Sequence, residues 1–296
     1  MFEKIKARVI FESLLKRPDI NKAYKMVGPE DSWYDTITTV HNSLAEIQKL
    51  PHEDWEITSH DGLSLKALFY PGITNKTMIW IHGYTSHAER ESAFPGLFYH
   101  RMGYNVLIPY LRAHGPSEGK YISFGPMESL DIQQWIEQIN ARIPGSILIH
   151  GLSMCGGIAL DLATVELENV KCMVVDAPSY SIPGFFSNVA HSVSKKNTEK
   201  QLTCFLQRFH EVFGVDATEY DRRETVRNCK YPLLLTAGSM ENQDEVLSVL
   251  KQRNPQPTTV LILPGCNHGN GMYKQTQMYQ DAIRKFTEQY MKPLWD

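Results

Sequence analysis

Short runs of apolar residues alternate along this chain with longer segments in which apolar residues recur at helical spacing. The apolar runs predict buried strands near residues 77–81, 105–109, 146–150, 171–175, 232–236 and 259–263. The helical segments fall near residues 89–102, 127–141, 155–166, 242–253 and 272–291. Strands and helices that alternate in this way predict an α/β fold, with a doubly wound, mostly parallel sheet and functional loops at the carboxyl ends of its strands.

The amino-terminal segment has a different pattern, in which charged residues interrupt the apolar ones. Residues 2–16 predict an amphipathic helix. We expect this helix to pack on the protein's own body or on a partner subunit, which leaves a homo-oligomer open, and attachment to a membrane surface is the alternative. The apolar positions near helical spacing are Phe2, Ile5, Val9, Leu14 and Leu15.

Two further patterns define the domain organisation. Alternating apolar and polar residues over 55–58 and 63–70 predict an opening β-hairpin. The interval between the strand ending near Val175 and the strand starting at Pro232 is far longer than an ordinary connection, which indicates an insertion. The prediction is therefore an N-terminal helical extension over 1–50, an α/β core over 51–178 and 230–296, and a helical cap insertion over 179–229.

The predicted cap is rich in phenylalanine and begins with a hinge at Pro183 and Gly184. Aromatic residues at helical spacing usually form the underside of a packed helix. If that underside covers the active site, the same rings line an apolar pocket for an acyl group. The residues concerned are Phe185, Phe186, Phe205, Phe209 and Phe213.

One motif carries the strongest chemical signal. The segment 151–157 reads Gly-Leu-Ser-Met-Cys-Gly-Gly and connects a predicted strand to a predicted helix, as a nucleophile elbow does. Ser153 is the candidate nucleophile. The G-x-S-x-G pattern expects glycine where Cys155 stands, and the alternative is an ordinary strand-to-helix loop with a capping serine.

A serine nucleophile needs a base, and the base needs a carboxylate that fixes its tautomer. His268 follows the predicted strand at 259–263, and Glu241 and Asp244 follow the strand at 232–236. The order serine, acid, histidine, with each residue in a loop after a strand, is typical of a hydrolase triad. Both Glu241 and Asp244 are candidates for the acid.

These residues, from about Asp54 to the C-terminus, resemble the α/β-hydrolase superfamily. The segment 78–85 is similar to the family's third strand and His-Gly oxyanion loop, which implies the N–H groups of Tyr84 and Met154 as oxyanion donors. The segment 105–119 is similar to the next strand and its R-x-H-G-x-S-x-G loop. The resemblance implies structural roles for its Arg112 and His114. The family's acid commonly ends a G-D-x-D pattern, whereas this chain has Gly-Ser-Met-Glu, ending at Glu241. The resemblance therefore favours Glu241 as the acid, with Asp244 as the alternative.

Composition narrows the function classes. The 296 residues contain 30 basic and 33 acidic side chains, which gives no basic excess for a nucleic acid partner. Five cysteines cannot all pair, and their positions indicate reduced thiols. We find no metal-binding spacing and expect neither metal nor cofactor. Charges near the amino terminus interrupt every apolar run, so we expect no signal peptide, no stable membrane insertion and a cytoplasmic location.

The sequence thus predicts a serine hydrolase that cleaves carboxylic esters of small to medium, mainly apolar acyl groups. The partner would be a small-molecule ester, and the reaction would pass through an acyl-enzyme. A thioesterase, an acyltransferase or a peptidase would use the same residues. A non-catalytic binding protein of the same fold is the alternative from another class.

Overall fold

One sheet of eight strands organises the part of the chain that the structure describes. The computed structural model describes residues 2–19, 30–31, 33–193, 198–242 and 256–292. The strands are β1 Glu53–Thr58, β2 Ser64–Tyr70, β3 Lys76–Ile81, β4 Asn105–Pro109, β5 Ser146–Leu152, β6 Val170–Asp176, β7 Leu233–Gly238 and β8 Thr258–Leu263. Their order across the sheet is β1-β2-β4-β3-β5-β6-β7-β8.

The strand directions confirm the predicted fold class. β2 pairs antiparallel with both β1 and β4, so the predicted hairpin is present. All pairs from β4 through β8 are parallel. Because parallel strands are connected over the faces of a sheet, their carboxyl ends meet at one edge, where β3, β5, β7 and β8 lead into the loops that the sequence singles out.

The helices cover both faces of this sheet. They are α1 Phe2–Leu15, α2 Ile37–Ile47, α3 Ala88–Arg101, α4 Pro126–Arg142, α5 Met154–Leu162, α6 Ile182–Val193, α7 Thr198–Phe213, α8 Arg222–Thr225, α9 Gly271–Lys274 and α10 Thr276–Tyr290. None of the helices described is both long and apolar enough to cross a membrane. The helix predicted at 242–253 lies almost wholly outside the described residues.

Two predicted helices differ from the observed ones. α5 ends at Leu162 rather than 166, because the N–H groups of Thr164 and Val165 bond three residues back and tighten the chain into a turn. The helix predicted over 272–291 is two helices, α9 and α10, separated at Gln275.

The sheet is buried on both faces, which explains why its strands read as continuous apolar runs. In β3, Ile79 and Ile81 belong to one hydrophobic core, while Met78 and Trp80 belong to the other. Residues of the inner strands therefore face apolar neighbours whichever way they point, as expected for parallel strands between layers of helices, whereas the edge strands β1 and β8 are partly exposed.

The N-terminal helix packs on the protein's own body, but not through the face that the apolar spacing indicates. Ala7, Phe11 and Leu15 are buried, whereas the side chains of Ile5 and Val9 are 56% and 62% exposed. The ring of Phe11 contacts Phe205 and Phe213 of α7, at centroid distances of 5.5 and 6.3 Å. Leu15 is buried as expected, but the sequence pattern does not show that Ile10 and Phe11, rather than Ile5 and Val9, meet the body of the protein.

A buried arginine joins the segment between β6 and β7 to the core. Arg222, at the start of α8, is fully buried and donates to both carboxylate oxygens of Asp161 on α5, each at 2.9 Å. It also donates to the carbonyl oxygens of Phe124 and Ser179, at 2.7 and 3.1 Å. A buried cation is stable only when it is paired and hydrogen-bonded in this way. α8 is therefore held in one position against α5.

Replacement of Phe11 by alanine should lower the free energy of unfolding by about 3–5 kcal/mol, since it removes a fully buried ring between α1 and α7. Val9→Ala changes the same helix at an exposed position and should alter stability by no more than about 0.5 kcal/mol. Urea denaturation followed by circular dichroism measures both. Equal losses in the two variants would contradict the observed orientation of α1.

Candidate active site

Ser153 occupies the turn between β5 and α5 in an unusual backbone conformation. Its φ is 60° and its ψ is −118°, which costs a non-glycine residue on the order of 1–3 kcal/mol. Two hydrogen bonds hold it there: its N–H donates to the carbonyl oxygen of Asp176 at 2.9 Å, and its own carbonyl accepts the N–H of Ser179 at 3.0 Å. The end of β6 thus fixes the direction of the Ser153 hydroxyl.

The size of each side chain around this turn fits the space at its position. A Cβ on Gly151 would lie 2.1 Å from the carbonyl oxygen of Cys155, so only glycine fits there. A Cβ on Gly157 would lie 2.8 Å from the guanidinium of Arg222. Cys155 itself is fully buried and its thiol donates to the carbonyl oxygen of His82. Cysteine is accommodated in place of the expected glycine because its thiol reaches the loop after β3.

The structure brings Ser153, His268 and Glu241 into one hydrogen-bonded chain. The distance from Ser153 Oγ to His268 Nε2 is 2.8 Å, and that from His268 Nδ1 to Glu241 Oε2 is 2.7 Å. With its proton on Nδ1, His268 donates to Glu241 and accepts from Ser153. The other oxygen of Glu241 accepts the N–H of Gly238 at 2.7 Å, which fixes the carboxylate at the end of β7. Asp244, the alternative acid, lies outside the described residues.

Neighbouring carboxylates adjust the basicity of His268. The hydrogen bond to Glu241 raises the pKa of His268 above its ordinary value, burial opposes this, and the charges of Glu241, Asp176 and Glu91 raise it further. The side chain of His268 is 57% exposed, although both of its ring nitrogens are hydrogen-bonded to protein groups. The arrangement favours the imidazolium more than free histidine does.

Tyr84 and Met154, the two expected oxyanion donors, both belong to the lining of one cavity. The N–H groups of Tyr84, in the loop after β3, and Met154, the first residue of α5, donate to no protein group among the described residues. The same cavity contains Ser153. The Met154 N–H also lies at the positive end of the α5 dipole. An oxygen bound between these two groups would be stabilised as it acquires negative charge.

The cavity at Ser153 has a volume of about 400 Å³. One wall is aromatic: the ring of Phe124 lies 4.4 Å from that of Phe185 and 5.3 Å from that of Tyr84. Met154 and Pro178 extend this wall. Polar residues also line the cavity, namely Ser179, Ser181, Asn188 and Arg223.

Only one of the five phenylalanines in the predicted cap reaches the cavity. Phe185 lines it, whereas Phe186, Phe205 and Phe209 are buried in the core. The rings of Phe186 and Phe205 pack at 3.9 Å, and Phe209 contacts Phe213 at 4.7 Å. Four of the five rings therefore form the underside of packed helices, and one contributes to the pocket.

The loop after β4 has the structural role expected of it. Arg112 is buried and donates to Asp131, at 2.7 Å for each bond, and to Asp61 at 2.9 and 3.1 Å. His60, Asp61 and Asp131 form a group of side chains spaced closely enough to bind a metal, but the guanidinium of Arg112 already pairs with both carboxylates. His114 is buried, and burial lowers its pKa to about 4.

Two acidic residues near the site were missed from the sequence. Asp176 ends β6, accepts from Thr236 and Tyr279 at 2.6 and 2.8 Å, and has its pKa raised by burial to about 6. Its position directly after an apolar run was a usable signal, since the predicted acid and base also follow strands. Glu91 on α3 accepts the N–H of Gly83 at 2.7 Å. Nothing in its local sequence distinguishes it from other helical glutamates.

Comparisons with known proteins agree with this architecture. Residues 72–203 match the family model described as serine aminopeptidase, S33. A multifunctional-autoprocessing repeats-in-toxin protein of Vibrio vulnificus is 31% identical over 154 residues, which is 48% of this chain. The match spans only 3% of the length of that toxin, and a similar toxin of Vibrio cholerae is covered to 2%.

Two relatives match over most of their length. The protein YqkD of Bacillus subtilis is 24% identical over 260 residues, covering 84% of this chain and 83% of YqkD. A solved structure of an esterase from Pyrococcus furiosus superposes with a TM-score of 0.68 at 22% identity, covering 94% of this chain and 99% of the esterase. At that identity the likeness shows the fold. A hydrolase family model matches the chain through the elbow, and nearly the whole chain shares the fold of this esterase, so the protein has the α/β-hydrolase fold.

Proposed function

We propose that this protein is a serine hydrolase that cleaves carboxylic esters with small to medium, mainly apolar acyl groups. The observation that carries the proposal is the hydrogen-bonded chain from Ser153 through His268 to Glu241, which opens into a partly aromatic cavity. A cavity of about 400 Å³ is of the size that holds a small ligand. The esterase fold of the Pyrococcus furiosus protein is consistent with the proposal.

The reaction follows from the roles that these groups support. His268 accepts the hydroxyl proton while Ser153 Oγ attacks the ester carbonyl carbon, and Glu241 stabilises the imidazolium that forms. The N–H groups of Tyr84 and Met154 donate to the oxyanion. The imidazolium then protonates the leaving alcohol. Water, with His268 as its base, releases the acid from the acyl-enzyme and restores the Ser153 hydroxyl.

The composition of the cavity wall favours an ester over the amino terminus of a peptide. An aminopeptidase needs a carboxylate that binds the substrate ammonium group. Among the described residues that line the cavity, the one carboxylate is that of Glu241, which is already bonded to His268, and the one permanent cation is Arg223. The peptidase suggested by the name of the family model therefore has less support from this site.

Ser153→Ala and His268→Ala should each lower kcat for p-nitrophenyl butyrate by roughly 10⁴-fold or more, because nucleophile and base act as one unit. A fluorophosphonate probe should label the wild type and not Ser153→Ala. Ser129→Ala, at a serine on α4 remote from the cavity, is the control and should be labelled like the wild type. A wild type that is neither active nor labelled would refute the proposal.

The pH dependence should identify the acid. Since Glu241 raises the pKa of His268, kcat/KM should fall as the pH drops through that raised pKa and the base becomes protonated. In Glu241→Gln the charge is lost, so the pKa of His268 falls and the acidic limb moves to lower pH. We expect kcat to fall by roughly 10³–10⁴-fold as well.

The matched variant for this test is Asp244→Asn. Both its kcat and the position of the acidic limb in its kcat/KM profile against pH should stay near those of the wild type. The measurement is kcat/KM for one ester between pH 5 and pH 9 for all three proteins. If Asp244→Asn is the more damaged variant and its limb is the one that moves, the acid has been assigned to the wrong residue.

Phe185 should limit the length of the acyl group. Phe185→Ala removes a ring from the cavity wall and should shift the preferred chain toward longer acyl groups in a p-nitrophenyl ester series from acetyl to dodecanoyl. Phe213→Ala removes a ring that packs on α1, away from the cavity, and should leave the preference unchanged. An identical shift in both variants would mean that the change is due to general loosening.

A further inference from the structure

The loop after β3 is hydrogen-bonded on both sides of Gly83. The Gly83 N–H donates to Glu91 Oε1 at 2.7 Å, and its carbonyl oxygen lies 3.1 Å from His82 Nδ1. The Leu111 N–H donates to His82 Nε2 at 3.2 Å, so that nitrogen is the acceptor and the proton is on Nδ1. Burial lowers the pKa of His82 well below its ordinary value, and the ring stays neutral. His82 therefore donates to the Gly83 carbonyl.

Because a peptide is planar, these hydrogen bonds also fix the direction of the Tyr84 N–H. The Gly83 carbonyl and the Tyr84 N–H belong to one planar peptide and point in opposite directions. The bond from His82 thus directs the Tyr84 N–H away from the histidine ring. The preceding peptide carries the His82 carbonyl, which accepts the Cys155 thiol, and the Gly83 N–H, which donates to Glu91. Both peptides next to Gly83 are held, although glycine itself restricts neither.

Glu91 lies where a larger residue at position 83 would point. A Cβ built on Gly83 would be 3.2 Å from Glu91 Oε2 and 3.7 Å from the carbonyl oxygen of Leu152, the residue before Ser153. The carboxylate thus lies between α3 and the elbow. Burial raises the pKa of Glu91 to about 7, the Ser86 hydroxyl and the Gly83 N–H lower it, and Asp176 on β6 raises it. Its charge also acts on Cys155 of α5 and on His268.

We propose that Glu91 is a positioning residue, which holds the Gly83 peptide so that the Tyr84 N–H faces the carbonyl oxygen of the substrate. The inference rests on the proposed function, because it assigns a role in the same reaction. Glu91 contacts no reacting atom and acts through the loop. To hold the peptide, residue 91 needs an oxygen that accepts the Gly83 N–H. Glutamine has such an oxygen but carries no charge.

The experiment compares Glu91→Ala and Glu91→Gln with Glu89→Ala. Glu89 is the matched control because it lies on the same helix and accepts the Tyr110 hydroxyl instead of a loop N–H. In Glu91→Ala we expect kcat to fall about 10- to 100-fold with KM within about twofold, since an oxyanion donor is misplaced but not lost. Glu91→Gln should restore kcat to within about threefold of the wild type, and Glu89→Ala should match the wild type.

The pH profile supplies a second readout that simple loosening of the fold would not move. Because the Glu91 charge raises the pKa of His268, the acidic limb of kcat/KM in Glu91→Gln should move to lower pH, while that of Glu89→Ala should stay in place. If Glu91→Ala does not fold, as judged by circular dichroism, Glu91→Asp takes its place. Its shorter carboxylate withdraws from the Gly83 N–H, so kcat should fall with KM unchanged, and a kcat equal to that of the wild type would show that the proposal is wrong.

The outcomes separate this inference from the proposed function. A kcat for Glu91→Ala equal to that of the wild type, or a loss in Glu91→Gln as large as in Glu91→Ala, would overturn the role of Glu91 while Ser153 labelling by fluorophosphonate persists. A wild type that the probe does not label, together with full activity in Ser153→Ala, would instead refute both the hydrolase mechanism and the positioning role.

Discussion

Two backbone hydrogen bonds between Ser153 and the end of β6 are the constraint on which the rest of the site depends. They hold a non-glycine residue at a φ of 60° and thereby set both the direction of its hydroxyl and the start of α5. His268 lies within hydrogen-bonding distance of this hydroxyl, and Met154, the first residue of α5, lines the same cavity. Because the bonds join the ends of two neighbouring parallel strands, the site exists only when the centre of the sheet has formed.

Most of the fold and part of the site could be predicted because their signals are local. Buried parallel strands are apolar on both faces, so each appears as a continuous run, and the residues that follow such runs lie at one edge of the sheet. Ser153, Glu241 and His268 each follow a run of this kind. Their joint placement was therefore visible, although the choice between Glu241 and Asp244 rested on the resemblance.

The residues that escaped prediction act through contacts distant in sequence. Arg222 pairs with Asp161 and Glu91 with Gly83, and no spacing rule connects the members of either pair. Cys155 looked like a flaw in the elbow motif, and its contact with the His82 carbonyl shows why it fits. The face of α1 was misassigned for a related reason, because the choice between two apolar stripes is made by the partner helix α7.

The Tyr84 hydroxyl donates to the carbonyl oxygen of Leu14, in the last turn of α1. The first helix of the chain, which precedes the matched stretch 72–203, therefore touches the residue proposed to hold the oxyanion. The stretch that matches the family model and the residues that contact the proposed site therefore have different limits. A fragment that starts at residue 72 and runs to the C-terminus would keep Ser153, Glu241 and His268 but lose the contact between Leu14 and the proposed oxyanion loop. A change in the N-terminal helix would then alter the rate while the three proposed catalytic residues stay the same.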